Sequence, residues 1–204
     1  FLANLVLIPV VAFYLLRDWN IMMAKIRGLL PRARADQIVS LAKECHDVLG
    51  AFVRGQLLVM LALGVIYSAG LMLVGLELGL LIGLMAGIAA IVPYMGFIVG
   101  IGAALVAGLF QFGGDLYPML GIVAVFMIGQ ALEGTVLTPL LVGDKIGMHP
   151  VAVIFAILAG GELFGFTGVL LALPVAAVIM VLVRHVQDLY KDSQVYKGSE
   201  DPQL

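Results

Sequence analysis

Long apolar runs, each ended by a short polar or glycine- and proline-rich break, set the pattern of this chain. Residues 1–16 are almost wholly apolar and end at Arg17-Asp18-Trp19. After Pro31, the apolar residues Ile38, Leu41, Cys45, Val48, Leu49 and Phe52 recur at helical spacing. Arg34, Gln37, Lys43, Glu44 and Asp47 fill the positions between them, so this stretch predicts an amphipathic helix lying in the interface or packed on the bundle. Residues 55–75 and 118–138 are apolar runs long enough to cross a bilayer, which takes about 20 residues. The alternation of apolar and polar positions that marks an outer-membrane barrel is missing from the sequence. The pattern predicts an all-α integral membrane protein, a polytopic helical bundle.

Two further runs, 78–110 and 150–183, share one design: an apolar arm, a break, and a second apolar arm. In the first, Pro93-Tyr94-Met95-Gly96 interrupts the helix, because proline removes a backbone donor and glycine weakens helix. In the second, the break spans 160–168, with Gly160, Gly161, Gly165 and Gly168 around Glu162. Each run reads as a re-entrant hairpin or as two thin crossings, and both readings return the chain to the side it left. As hairpins, the first opens outward and the second toward the cytoplasm, an inverted repeat of the kind that places a solute site where broken helices meet. Gly79, Gly83 and Gly87, like Gly96 and Gly100, recur every four residues, a spacing that lets helix backbones approach closely in lipid.

Composition agrees: 63% of residues are hydrophobic and 12% charged, about half the charge of an ordinary soluble domain. Charge placement adds topology. Seven of the 11 basic residues (Arg17, Lys25, Arg27, Arg32, Arg34, Lys43, Arg54) fall between positions 17 and 54. Arg184, Lys191 and Lys197 follow in the C-terminal tail, and Lys145 sits in a loop. The positive-inside rule places 17–54, that loop and the tail in the cytoplasm, and the base-free breaks near Glu77 and Asp115 outside. Four parts follow: 1–16, a membrane helix with upstream segments expected before it; 17–54, a cytoplasmic amphipathic segment; 55–183, the membrane core; and 184–204, a cytoplasmic tail. The single cysteine, Cys45, suits a reducing compartment, and mixed-sign charge beside a membrane gives no reason to invoke nucleic acid.

Polar residues inside the apolar runs carry the candidate chemistry, since such groups are tolerated at membrane depth only facing protein or a water-filled cavity. Gln130 and Glu133 lie three apart on one helical face. They read either as a pathway for a solute, cation or proton, or as a structural hydrogen-bonded pair. Glu162 lies in a break whose exposed backbone suits solute binding, or in a loop if the segment crosses fully. His149 precedes Pro150 at a helix start and reads as a proton relay or a cap beside the loop. Pro93, Tyr94, Gly96, Gly160, Gly161, Gly165 and Gly168 would supply the breaks that line the site.

Enzyme signatures are missing: no His-Glu-x-x-His pair, no phosphate-binding Gly-x-x-x-x-Gly-Lys loop and no Gly-x-Ser-x-Gly elbow. No catalysis, metal or cofactor is expected, and active transport would draw on an ion gradient.

A run of motifs then narrows the class. They are Leu15-Leu16-Arg17-Asp18, Leu30-Pro31, Val53-Arg54-Gly55-Gln56, Ile91-Val92-Pro93-Tyr94-Met95-Gly96, Gln130-x-x-Glu133 with Pro139, Met148-His149-Pro150, and Gly160-Gly161-Glu162-Leu163-Phe164-Gly165 with Pro174. In order and spacing they resemble the bacterial autoinducer-2 exporter (permease-like) family, departing from it at Trp19, commonly glycine there, and at Phe97, often proline. The resemblance implies a longer inner-membrane protein of about eight membrane segments that forms homo-oligomers. It implies export of a small polar solute such as autoinducer-2, or sodium(lithium)/proton antiport. A secondary transporter working by alternating access is the function expected; a passive channel and a non-transporting membrane scaffold are the rivals.

Overall fold

In the computed structural model, residues 2–32, 34–142 and 150–192 are described. Among them every regular element is helical: α1 (Leu2–Leu29), α2 (Ala35–Leu73), α3 (Gly79–Ala89), α4 (Met95–Phe112), α5 (Leu116–Leu132), a π-helical continuation (Glu133–Val142) and α6 (Pro150–Asp192). Five stretches of these helices are long and apolar enough to cross a membrane. The protein is a multi-pass membrane protein. Two compact units divide it, Phe1–Glu44 and Cys45–Leu204.

In the first unit α1 runs on through Arg17 to Leu29 without a break. Charge at its middle is contained locally. The Arg17 guanidinium pairs with Asp18 at 3.0 Å and lies over the Tyr14 ring. Nor does the chain pause at position 54, because the amphipathic stretch and the following crossing are one helix of 39 residues. At helical rise α2 is about 58 Å long, roughly twice the hydrocarbon thickness, so much of it stands outside the bilayer core.

A ring of four helices builds the core of the second unit. Along α2 and α3 the contacts fall in antiparallel order: Leu71 meets Gly79, Ser68 meets Gly83, Gly64 meets Gly87, and Gln56 meets Ala90. A Cβ on Gly87 would sit 2.5 Å from the Gly64 Cα and 2.8 Å from the Met60 carbonyl oxygen, so the two backbones touch. The α4 helix returns along α3, with Gly96 against Ala86. The α5 helix then packs on α4 through Ile122 and Gly108, and closes back on α2 through Gly121–Val74, Gly70–Val125 and Gly129–Tyr67. Tyr67, Phe126, Leu63, Leu71, Ile122 and Val59 fill the centre and are fully buried.

Both broken runs are helical hairpins. The first turns at Pro93-Tyr94, where Tyr94 adopts a left-handed φ of 66° at the start of α4. Its α3 arm is 11 residues, about 16 Å, too short to cross alone. Gln111, at the end of α4, clasps the base: its amide donates to the Gly75 carbonyl at 2.7 Å and its oxygen accepts from the Glu77 N–H at 2.9 Å. At the tip, Gln56 donates to the Ala90 carbonyl at 2.6 Å, satisfying one of the acceptors that the break exposes. The second hairpin lies inside α6. Gly165 has φ 60° and ψ −143°, a conformation that only glycine adopts readily, and there the helix folds back. Gly160 consequently lies against Gly168 and Ala172, residues that a straight helix would carry away from it. Leu173 of the returning arm joins the core, with Val153 and Ile157 of the outgoing arm beside it.

Backbone contact of this kind predicts an asymmetry among glycines. Gly87→Ala is expected to lower unfolding stability by about 1–3 kcal/mol through overpacking. Gly102→Ala, with nothing within 4 Å of its Cβ, is expected to leave stability unchanged or raise it by about 0.5–1 kcal/mol. Chemical unfolding of both variants in detergent micelles measures the difference.

Candidate functional site

Buried residues of α5 recur at Ile122, Phe126 and Gly129, and Glu133 is the next position of that stripe. The spacing of four, three and four residues keeps all of them on one helical face, so the carboxyl points where the core is. Glu133 is only 8% exposed. Its neighbour Gln130 donates from Nε2 to Glu133 Oε2 at 3.1 Å.

Tyr67 of α2 supplies the opposite wall, a residue that sequence reasoning missed. Its ring stacks on Phe126, with centroids 4.6 Å apart, and its edge lies against Gly129, where a Cβ would be 2.9 Å from the ring carbon bearing the hydroxyl. That contact sets the hydroxyl-bearing end of the ring beside Gly129, one turn before Glu133 on the same face of α5. Tyr67 has 0% exposure, yet among the described residues its hydroxyl has no hydrogen-bond partner, and neither has Oε1 of Gln130. A buried polar group left unpaired costs about 1–3 kcal/mol. Two such groups near a buried carboxyl make an incomplete polar cluster: one spare donor, one spare acceptor and one acid.

Helix geometry changes at this cluster. From Glu133 the backbone widens into ten π-helical residues, a form common at functional sites. Pro139 was the expected end of the helix, but the helix passes through it to Val142. In a regular α-helix the proline ring would strike the carbonyl four residues back, and the wider turn relieves that clash. Thr135 closes one loose end by donating its hydroxyl to the Ala131 carbonyl at 2.7 Å.

The other candidates lie apart from the cluster. Glu162 is exposed, three residues before the Gly165 turn. Pro93 is half-buried and Tyr94 exposed at the first turn, Gly96 packs on Ala86, and Gly160, Gly161 and Gly168 line the inside of the second hairpin. His149 falls outside the described residues. Among those that are described, no cluster of three or more His, Cys, Asp or Glu side chains suits a metal ion.

This fold and this buried carboxyl accompany a family match. The model of the AI-2E family of transporters matches residues 1–188. The chain belongs to the AI-2E family. Similar proteins within it include YrrI of Bacillus subtilis, named as a candidate transport protein, 37% identical over 87% of this chain and 50% of its own length. PerM of Escherichia coli K12, named as a candidate permease, is 36% identical over 88% of this chain and 50% of its own. The chain thus spans about half the length of these AI-2E relatives. No solved structure matches it.

Because the Tyr67 hydroxyl has no partner among the described residues, removing it should cost little. Tyr67→Phe is expected to keep unfolding stability within about 1 kcal/mol of the parent, or to raise it. Unfolding in detergent reads this, and a loss above about 2 kcal/mol would reveal a structural partner for the hydroxyl.

Proposed function

We propose that the protein is a secondary transporter of the bacterial inner membrane, exporting a small polar solute such as autoinducer-2. Tyr67, Gln130 and Glu133 form its solute site. One observation carries this reading: among the described residues, a fully buried phenol hydroxyl and a buried amide oxygen near a buried carboxyl both lack partners. A hydroxyl-bearing solute completes the set, since it donates to Gln130 Oε1 and accepts from Tyr67. Polar groups that stay unpaired in the empty protein and gain partners on loading favour the loaded state.

The two helical hairpins supply the moving parts. Opposite openings, as the charge pattern implies, would set them as an inverted repeat about the site, and alternating access would follow from one unit moving against the other. In this reading segment 17–54 and the C-terminus face the cytoplasm. Glu162 and His149 would then serve the approaches rather than the centre. The family resemblance supports assembly as a homo-oligomer.

A second reading is favoured by the chemistry of the cluster, which offers oxygen atoms and an acid. Such a set takes a monovalent cation or a proton as readily as a neutral solute, the requirement of a sodium(lithium)/proton antiporter.

Purified full-length protein in liposomes with an internal pH-reporting dye separates these cases. Sodium or lithium pulses and labelled autoinducer-2 are supplied in turn, with and without an ion gradient. Gradient-coupled flux that falls about 10–100-fold in Glu133→Gln is expected, the loss of one charged hydrogen bond at the site. Cation-driven proton efflux would select the antiporter, and solute flux without it the exporter. Flux independent of every gradient would indicate a channel, and no flux a scaffold.

A further inference from the structure

The two hairpins are fastened in different ways. Glycines of the first rest on neighbouring helices: Gly79, Gly83 and Gly87 of α3 lie on α2 at Leu71, Ser68 and Gly64. On α4, a Cβ on Gly100 would meet the Phe126 ring of α5 at 2.5 Å, and one on Gly108 would meet Ile122 at 2.7 Å. Hydrogen bonds from α2 add to this hold. Gln56 donates to the Ala90 carbonyl at 2.6 Å, and the Ser68 hydroxyl to the Leu80 carbonyl at 3.2 Å. Close packing and hydrogen bonds are the contacts that hold helices together in lipid.

The second hairpin spends its glycines on itself. Gly160 lies against Gly168 and Ala172, Gly161 against Val169, and Gly168 against Phe164, all within α6. Among the described residues, nothing from 152 to 183 is hydrogen-bonded to α2, α3, α4 or α5. The hold on the core is apolar: Leu173 joins it, with Val153 and Ile157 beside it, a kind of contact that gains little over lipid. At the tip, Leu163, Phe164 and Phe166 are between 72% and 75% exposed. The two arms are thus locked to each other and only lightly to the bundle. Elements with the weakest fastening are those that move first.

We propose that the second hairpin, residues 150–183, is the moving element of the protein. It shifts as one body against a frame of α2, α3, α4 and α5, and the first hairpin is part of that frame. The proposal rests on the alternating-access reading and narrows it to one moving part. The π-helical segment gives the motion a route to the polar cluster. It begins at Glu133, and its Leu137 and Leu141 pack on the same core that Leu173 joins.

Matched cysteines test this. Leu173 and Ile82 have nearly equal exposure, 8% and 9%, and Ile157 and Ile101 are both half-buried. Leu173→Cys, Ile157→Cys, Ile82→Cys and Ile101→Cys are made singly in full-length protein freed of other cysteines. Their reaction with methyl methanethiosulfonate is timed in liposomes without solute. Each second-hairpin thiol is expected to react at least about tenfold faster than its first-hairpin match, since equal static burial leaves only opening to separate them. The ratio should survive a disulfide between Gly161→Cys and Val169→Cys, which joins the two arms, because the hairpin moves whole. A smaller ratio, or one abolished by that disulfide, would overturn the proposal. Flux through the parent and Glu133→Gln proteins keeps the two claims apart. Glu133-dependent flux with equal thiol reactivity sinks the moving hairpin alone. A tenfold ratio without such flux upholds the motion and removes the transport reading.

Discussion

In hydrocarbon an apolar side chain gains nothing by leaving lipid for protein, so helices associate through close packing and hydrogen bonds. The contact of α2 with α3 meets that constraint with backbone. Gly64 and Gly87 touch, Gly83 lies on the Ser68 backbone, and the Ser68 hydroxyl donates to the Leu80 carbonyl at 3.2 Å. This seam fixes where the first hairpin sits, because Gln56 and Gln111 then hold its tip and base at the two ends. The remaining helices are placed in turn: α4 on α3, α5 on α4, and α5 back on α2.

Closure of that ring is what builds the proposed site. Gly129 has no side chain, so the Tyr67 ring can lie flat between Phe126 and the α5 backbone. The hydroxyl-bearing end of the ring thereby lies against Gly129, one turn before Glu133, and the packing that fills the core also leaves its oxygen without a partner among the described residues. In the proposed transport role, stability and function pull in opposite directions here. A phenylalanine would fill the same volume without an orphan oxygen, whereas the proposed solute site uses the hydroxyl.

Parts of this were readable from residue order alone. Pro93-Tyr94-Met95-Gly96 and the glycines of 160–168 announced two helix breaks, because proline and glycine act on the backbone wherever they stand. Four-residue glycine spacing announced the seam on α3. Gln130 and Glu133 were visible as polar residues in an apolar run. Tyr67 was not, since a tyrosine in a membrane helix has no distinctive meaning until its neighbours are known. A weaker signal did exist: it lies on the stripe Val59, Leu63, Tyr67, Leu71, between Gly64 and Ser68. The passage of the helix through Pro139 also escaped notice, because proline in a sequence signals a break and the π-helical turn that accommodates it depends on the whole bundle. Continuity of α2 through position 54 was hidden by a change of face: an amphipathic pattern gives way to an all-round apolar one within one helix.

A site used in alternating access must meet water on each side of the membrane in turn, even though it is buried in this conformation. Cys45 is the single cysteine of this chain, so in a background with Cys45→Ser, Gln130→Cys places this chain's one thiol beside Glu133. Labelling by a membrane-impermeant thiol reagent, applied separately to inside-out and right-side-out vesicles, tests access from each face. Labelling from both faces is the outcome predicted for a transport site. A thiol that reacts from neither face would contradict it and leave Tyr67, Gln130 and Glu133 as structural residues of a sealed core.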